Sequence, residues 1–229
     1  MRGAIMQPYF FPYIGYYQLA YEAEKFVFLD DVNYIKKGYI NRNSILLQSK
    51  CHNFSVPVSK ISQNRTIHAH DYVGDYSEFI HLIKRAYKNA PHFNQIIPLI
   101  ESVVLDGDDN VARKNAKSLM VVFSYLGLER EYLFSSNVAL SGHEKGQVRI
   151  LELCQRLTID QYRNAIGGRL LYDAATFDAA GIELKFIQSN IRPYAQGEGA
   201  FVSNLSIIDI LMHCDKKDIV HRLTDYSLI

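Results

Sequence analysis

Two neighbouring segments near the start of the chain hold the residue types best suited to bind or turn over a ligand. The first is Gln7-Pro8-Tyr9-Phe10-Phe11-Pro12-Tyr13-Ile14-Gly15-Tyr16. A tyrosine presents a flat apolar face with one polar tip, so Tyr9, Tyr13 and Tyr16, with the amide of Gln7, suit a site that stacks a ring or a sugar. Gly15 would let a ligand approach the backbone closely. A packed aromatic corner is the other reading of the same residues. The second segment runs from Asp30 to Asn43 and passes from acidic to basic. Asp30 and Asp31 can take a proton from an amine or hold a metal. Lys36, Lys37 and Arg42 can bind phosphate oxygens. Tyr34 lies among them as a further stacking face, and Asn41 is a candidate donor to a developing oxyanion. An ordinary solvated turn is the alternative here.

A third candidate is Gly167-Gly168-Arg169. Paired glycines expose backbone N–H groups that can form an anion nest, with Arg169 beside them; a plain turn is the competing reading. His68-Ala69-His70-Asp71 lacks the partner cluster that a metal site needs, so no metal is expected. His143 and Lys145, close to Ser135-Ser136, read as a phosphate-binding loop. His213 sits in an apolar stretch and reads as a core histidine. The chain has no G-x-S-x-G elbow, Walker loop or G-x-G-x-x-G. Cys51, Cys154 and Cys214 are far apart, and an odd count without C-x-x-C spacing argues against a disulfide framework or a zinc ribbon. Cys154 falls on an apolar helix face and reads as core.

The elements that must position these residues follow from periodicity. Residues 3–7 read as a short buried strand, 14–24 as a helix and 25–29 as a second strand. Strand, helix and strand within thirty residues form a βαβ unit with parallel strands. That puts the aromatic segment between the first strand and the first helix, and the carboxylates at the end of the second strand. Ligands of open α/β sheets bind at such strand ends. Residues 44–47 and 53–58 read as a hairpin around a polar turn, 48–52. Helical spacing predicts helices at 75–89, 94–104 and 111–126, then at 147–157, 176–180 and 206–213. Further strands are expected at 131–134 and 183–187. The expected fold is therefore α/β, Rossmann-like, with a mostly parallel sheet and a helical insert at about 70–127, in one domain covering 1–229.

Bulk properties narrow the function classes. The chain has 229 residues, 48% hydrophobic and 21% charged, with a formal net charge of +1. No whole-protein field points to nucleic acid or an anionic membrane, so any anion site must be local. No apolar run approaches the ~20 residues of a membrane span, and the first residues lack a signal-peptide core. A cytoplasmic location is expected.

Taken together, the residues Gln7 to Tyr16, Phe28 to Gly38, Ile40 to Asn43, Val56-Pro57-Val58-Ser59-Lys60, Gly167-Gly168-Arg169, Ala180 to Leu184 and Leu205 to Asp209 closely resemble the WbqC-like proteins. The resemblance spans nearly the whole chain. It implies a role in bacterial surface-glycan (O-antigen) biosynthesis. The implied reaction is glycyl or other aminoacyl transfer that gives an N-acylated amino sugar; with the strand-end cluster, the leading expectation is transfer from an activated donor, such as a carrier-protein phosphopantetheine thioester, onto a nucleotide-linked amino sugar. No other cofactor is implied. On that expectation Tyr9, Tyr13 or Tyr34 stacks the base or sugar, and Lys36, Lys37 and Arg42 hold the diphosphate. Asp30 or Asp31 accepts the amine proton, and Asn41 or the Gly167-Gly168 amides hold the oxyanion. A more distant similarity places Tyr13-Ile14-Gly15-Tyr16 where nucleotidylyltransferases carry His-x-Gly-His. Tyrosines carry no positive charge at neutral pH, so an ATP-using ligase or nucleotidylyltransferase is the second expectation. A non-catalytic binding module is the third.

Overall fold

The computed structural model describes residues 1–142 and 144–229. The chain begins with β1 (Arg2–Met6), α1 (Ile14–Glu22) and β2 (Lys25–Phe28), the expected βαβ unit, with β1 and β2 parallel. A two-stranded hairpin follows, β3 (Arg42–Leu47) and β4 (Lys50–Ser55). Three helices come next: α2 (Ser77–Tyr87), α3 (Phe93–Val104) and α4 (Val111–Tyr125). The chain then returns to the sheet with β5 (Glu131–Phe134), α5 (Gly146–Arg156), β6 (Gln161–Ala165), α6 (Ala174–Ala179) and β7 (Glu183–Ser189). It ends with α7 (Ile207–His213), α8 (Lys216–Leu223) and β8 (Tyr226–Leu228).

The sheet has six strands in the order β5-β2-β1-β6-β7-β8. All its pairings are parallel except β7 with β8. Counted along the chain, the parallel strands lie in the order 3-2-1-4-5, the Rossmann arrangement. The fold expected from periodicity is the fold observed.

Successive strand residues face opposite sides, and both sides are apolar, so both must be covered. Ala4, Phe26 and Phe28 enter one core with α1, the three inserted helices, the hairpin, α7 and α8. Ile5, Val27 and Tyr162 enter a second core with Ile150, Leu153 and Cys154 of α5 and Phe177 of α6. Cys154 is buried there, as its helix face implied. Helix α1 has no polar face, because Ile14 through Ala20 are all buried between sheet and helices.

Three local expectations need correction. The hairpin turns on Gln48-Ser49 alone, both with positive φ (51° and 59°), so its second strand begins at Lys50 and not at 53. Two positive φ values define a type I′ turn, which glycine or asparagine usually signals; neither is present. Strand β6 reads poorly from sequence because Arg163 and Asn164 interrupt its apolar pattern, yet both are buried in the sheet. Elements α8 and β8 were also not expected. Here Lys216-Lys217-Asp218 opens a helix capped by Asp215, whose side chain accepts from the Asp218 N–H.

Candidate functional site

The carboxyl ends of β1, β2, β5, β6 and β7 share one edge of the sheet, because these strands are parallel. The chain order reverses between β1 and β6, the switch point at which open α/β sheets bind their ligands. Gln7 follows β1, Asp30 and Asp31 follow β2, Ser135 follows β5, and Gly167 follows β6.

The loop from β1 to α1 forms one wall of a cleft of about 360 Å³. Tyr9, Pro12 and Tyr13 come from the aromatic segment; Tyr39 and Asn43 come from the acidic-to-basic segment; Asn204 completes the lining. Two prolines and the bridge between Tyr13 and Ser206 hold the loop. Ser206 Oγ donates to the Phe11 carbonyl at 2.6 Å, and Asn43 Nδ2 donates to the same carbonyl at 2.7 Å. Phe11 has φ 40°, a left-handed conformation that these two donors stabilise. The rings of Tyr9 and Tyr39 stand 6.2 Å apart, tilted at 56°. Burial, with Tyr13 and Tyr39 nearby, pushes the Tyr9 phenol up to about 12, and burial raises Tyr13 as well. Both phenols are therefore neutral donors and acceptors at physiological pH.

Gly15, the second residue of α1, has no room for a side chain. A Cβ there would lie 2.5 Å from the Tyr13 ring and 2.7 Å from Ser189 Oγ. The close approach that glycine permits is thus occupied by the protein's own Tyr13 and Ser189. That differs from the use expected of it in a His-x-Gly-His-like turn, where a ligand takes the space.

The carboxylates sit at the same sheet edge but line neither this cleft nor the other principal ones. Asp30 is buried, 3% exposed. Its carboxylate accepts from the Ser136 N–H at 2.9 Å, the Ser136 hydroxyl at 2.8 Å and the Ser135 hydroxyl at 3.2 Å. It closes the turn after β5, a structural task that leaves little capacity for a substrate proton. Asp31 reaches solvent. One of its oxygens lies 2.5 Å from the Ser135 hydroxyl, and the other pairs with the Arg149 guanidinium of α5. Arg149 was not foreseen: it stands among apolar residues of a surface helix, and nothing in its spacing points to β2.

Lys36, Lys37 and Arg42 are exposed on the segment that leads from β2 into β3, with the Arg42 guanidinium donating to the Lys37 carbonyl at 3.1 Å, and none of the three lines the cleft. Tyr39, from the same segment, carries its ring into the cleft. Other expected residues have internal work. Tyr16 is 2% exposed and donates to the Gln7 carbonyl at 2.8 Å, while the Gln7 side chain accepts from Tyr9 at 3.3 Å. Tyr34 is 1% exposed and donates to Asn41 Oδ1 at 2.7 Å, and Asn41 Nδ2 donates to the Val56 carbonyl at 2.8 Å. Tyr16, Tyr34 and Asn41 are therefore bonded inside the protein. They are not free to stack a ligand or hold an oxyanion.

Gly167 and Gly168 lie in a 3-10 turn, Ile166–Leu171, and neither has positive φ. An anion nest needs alternating handedness, so their amides do not form one. Gly168 packs closely on strand β6 instead, since a Cβ there would stand 3.1 Å from the Asn164 amide. Arg169 is exposed on this turn and outside the aromatic cleft. His70 is fully bonded to backbone, Nδ1 to the Thr66 carbonyl at 2.8 Å and Nε2 to the Ser62 N–H at 3.1 Å. Among the described residues no group of three or more His, Cys, Asp or Glu is placed to hold a metal. His143 of the expected phosphate loop lies outside the described residues. The cleft residue Asn204 lies outside both expected segments; its only signal is its residue type, which tolerates the φ of 59° it adopts.

A doubly covered sheet in this strand order, with an aromatic cleft over the end of its first strand, defines a Rossmann-like α/β protein with a ligand-sized site. The chain belongs to the WbqC-like protein family, whose model matches residues 7–221. It is 26% identical over 218 residues to an uncharacterized protein of Mycobacterium tuberculosis, Rv1507c, covering 93% of each chain. No solved structure matches. No described helix is long and apolar enough to cross a membrane.

Proposed function

We propose that this chain is an acyltransferase that places a glycyl or other aminoacyl group on the amine of a nucleotide-linked amino sugar in surface-glycan biosynthesis. One observation supports it most. The segment carrying Lys36, Lys37 and Arg42 also supplies Tyr39 and, one residue after Arg42, Asn43 to the cleft walled by Tyr9 and Tyr13. A chain segment that supplies residues to an aromatic surface able to take a ring thus also carries cations able to take a diphosphate.

In this reading the sugar or base ring rests on Tyr9, Tyr13 and Tyr39. Asn43 and Asn204 supply amides to its hydroxyls, and Lys36, Lys37 and Arg42 neutralise the diphosphate. The amine attacks the carbonyl of the activated donor, a carrier-bound thioester. The thiolate leaves, and the amine's proton passes to a carboxylate. Of the two expected carboxylates Asp31 is the candidate for that proton, reached through solvent because it does not line the cleft, since Asp30 is closed into the Ser135-Ser136 turn.

The test combines purified protein with dTDP-4-amino sugars and glycyl thioesters and looks for an amide. No amide product across a panel of sugars and donors would refute the reading. Glycine-dependent pyrophosphate exchange with ATP would instead select the ligase or nucleotidylyltransferase reading. Affinity without turnover, unaltered by Asp31→Asn, would select a binding module.

A further inference from the structure

A second cleft, of about 410 Å³, shares no lining residue with the tyrosine cleft. It lies between the end of α2, the turn before α3, residues 195–197 and His213 at the end of α7. The turn is held against α7 by the His92 N–H, which donates to the Met212 carbonyl at 3.1 Å.

His213 has a defined orientation there. Its Nδ1 lies 2.8 Å from the Asp209 carbonyl and 3.7 Å from the Asp209 carboxylate one turn earlier. A carbonyl only accepts, so Nδ1 carries the hydrogen and Nε2 keeps a lone pair. Nε2 has no hydrogen-bond partner among the described residues. Asp209 is 0% exposed and accepts from Tyr87 Oη at 2.8 Å, Tyr194 Oη at 2.7 Å and Gln196 Nε2 at 2.8 Å. An imidazole whose Nδ1–H is fixed by a backbone carbonyl holds its Nε2 lone pair in one direction. Closing the last turn of α7 would have needed only Nδ1.

Arg85 and Lys88 also line the cleft. Arg85 lies in the last turn of α2 and Lys88 is its C-cap residue. Both are exposed, and neither has a carboxylate within ion-pair distance among the described residues. The cleft thus offers two unpaired cations and one proton acceptor, and none of its lining residues is acidic. Tyr87 and Tyr194, the other titratable groups against His213, are held neutral by burial beside Asp209.

We infer that this cleft is a second ligand site, for a phosphate group that can carry a proton: a phosphate monoester or free phosphate. Its oxygens accept from Arg85 and Lys88, and His213 Nε2 shares its proton. A phosphodiester has no such proton and satisfies only the cations, so the linked diphosphate of a nucleotide sugar is not the ligand of this site.

The test follows the His213 ring nitrogens by NMR near neutral pH, with His213→Gln identifying the signal. Inorganic phosphate and methyl phosphate are expected to move Nε2 saturably toward its protonated form, while dimethyl phosphate leaves it unchanged. Binding of inorganic phosphate without methyl phosphate would assign the free ion; binding of both would assign a monoester. The doubly exposed variant Arg85→Ser/Lys88→Ser, which touches no core, should weaken binding about tenfold per cation removed. Three outcomes would each overturn the assignment: no saturable shift, an equal response to dimethyl phosphate, or unchanged affinity in the double variant.

Discussion

Replacing Asp209 by alanine should cost more than almost any other single polar substitution in this chain. Its carboxylate ties three parts of the molecule together. Tyr87 comes from α2, while Tyr194 and Gln196 come from the segment that leads to Asn204 of the tyrosine cleft. Tyr87 also accepts from the Leu46 N–H of β3 at 3.2 Å, so the hairpin joins the same cluster. A buried donor stripped of its partner costs about 1–3 kcal/mol. Gln196 keeps the Val202 carbonyl at 2.9 Å, so the loss falls on the two phenols. Tyr87 is 2% exposed and cannot turn to water, whereas Tyr194 is half-buried and partly can. The net cost of Asp209→Ala is therefore about 3–4 kcal/mol. For a chain of this length that lowers Tm by roughly 6–16 °C. Asp209→Asn keeps one acceptor, and the Tyr87 hydroxyl can accept from the new amide, so about 1–2 kcal/mol is expected. Urea unfolding followed by circular dichroism would measure both. An alanine variant within about 1 kcal/mol of wild type, or an asparagine variant as costly as alanine, would refute the reasoning.

Other predictions concern the clefts and the surface. Gly15→Ala forces the Tyr13 ring out of position and should cost about 1–3 kcal/mol while weakening ligand binding at the cleft; full affinity in a folded variant would show that Tyr13 does not form its wall. Because Tyr9 ionises only near about 12, affinity of the cleft for a neutral ring should stay flat up to pH about 10, and titration calorimetry showing a fall between about pH 8 and 9 would contradict that. Burial opposes ionisation of Asp106, but hydrogen bonds from Lys114 and Lys117 outweigh it, and its carboxyl is held below the usual range. A depressed carboxylate contributes stability that is complete above its unfolded value of about 4 and is lost as pH falls through the folded value. Asp106→Asn should thus be destabilised at neutral pH and converge on wild type in acid; parallel stability curves would exclude the linkage. Tyr39→Ala should reduce acyl transfer more than it reduces stability, since its ring is 70% exposed before a ligand covers it.

How much of this was legible depended on the range of the interaction. The βαβ opening was readable because strand and helix periods are local and follow directly from side-chain direction. The Rossmann-like class, the three inserted helices and the strand-end location of Asp30 and Asp31 come from the same source. The two segments around residues 7–16 and 30–43 stood out by residue type alone, and three residues of the first and two of the second line one cleft.

Which side chains face that cleft was decided by tertiary packing. Tyr9 and Tyr13 line it, whereas Tyr16, one helical turn from Tyr13, points into the core and bonds to Gln7. Asp30 and Asp31 are adjacent in sequence, yet one closes a turn after β5 and the other pairs with Arg149, 118 residues away. His213 looked like a core residue because its neighbours are apolar; the three-dimensional arrangement places it over a cleft with Arg85 and Lys88, which are more than a hundred residues earlier. Residue type and period set the elements and their order. Partners distant along the chain meet only once loop-closure entropy has been overcome by packing, and nothing in a local pattern records which ones meet.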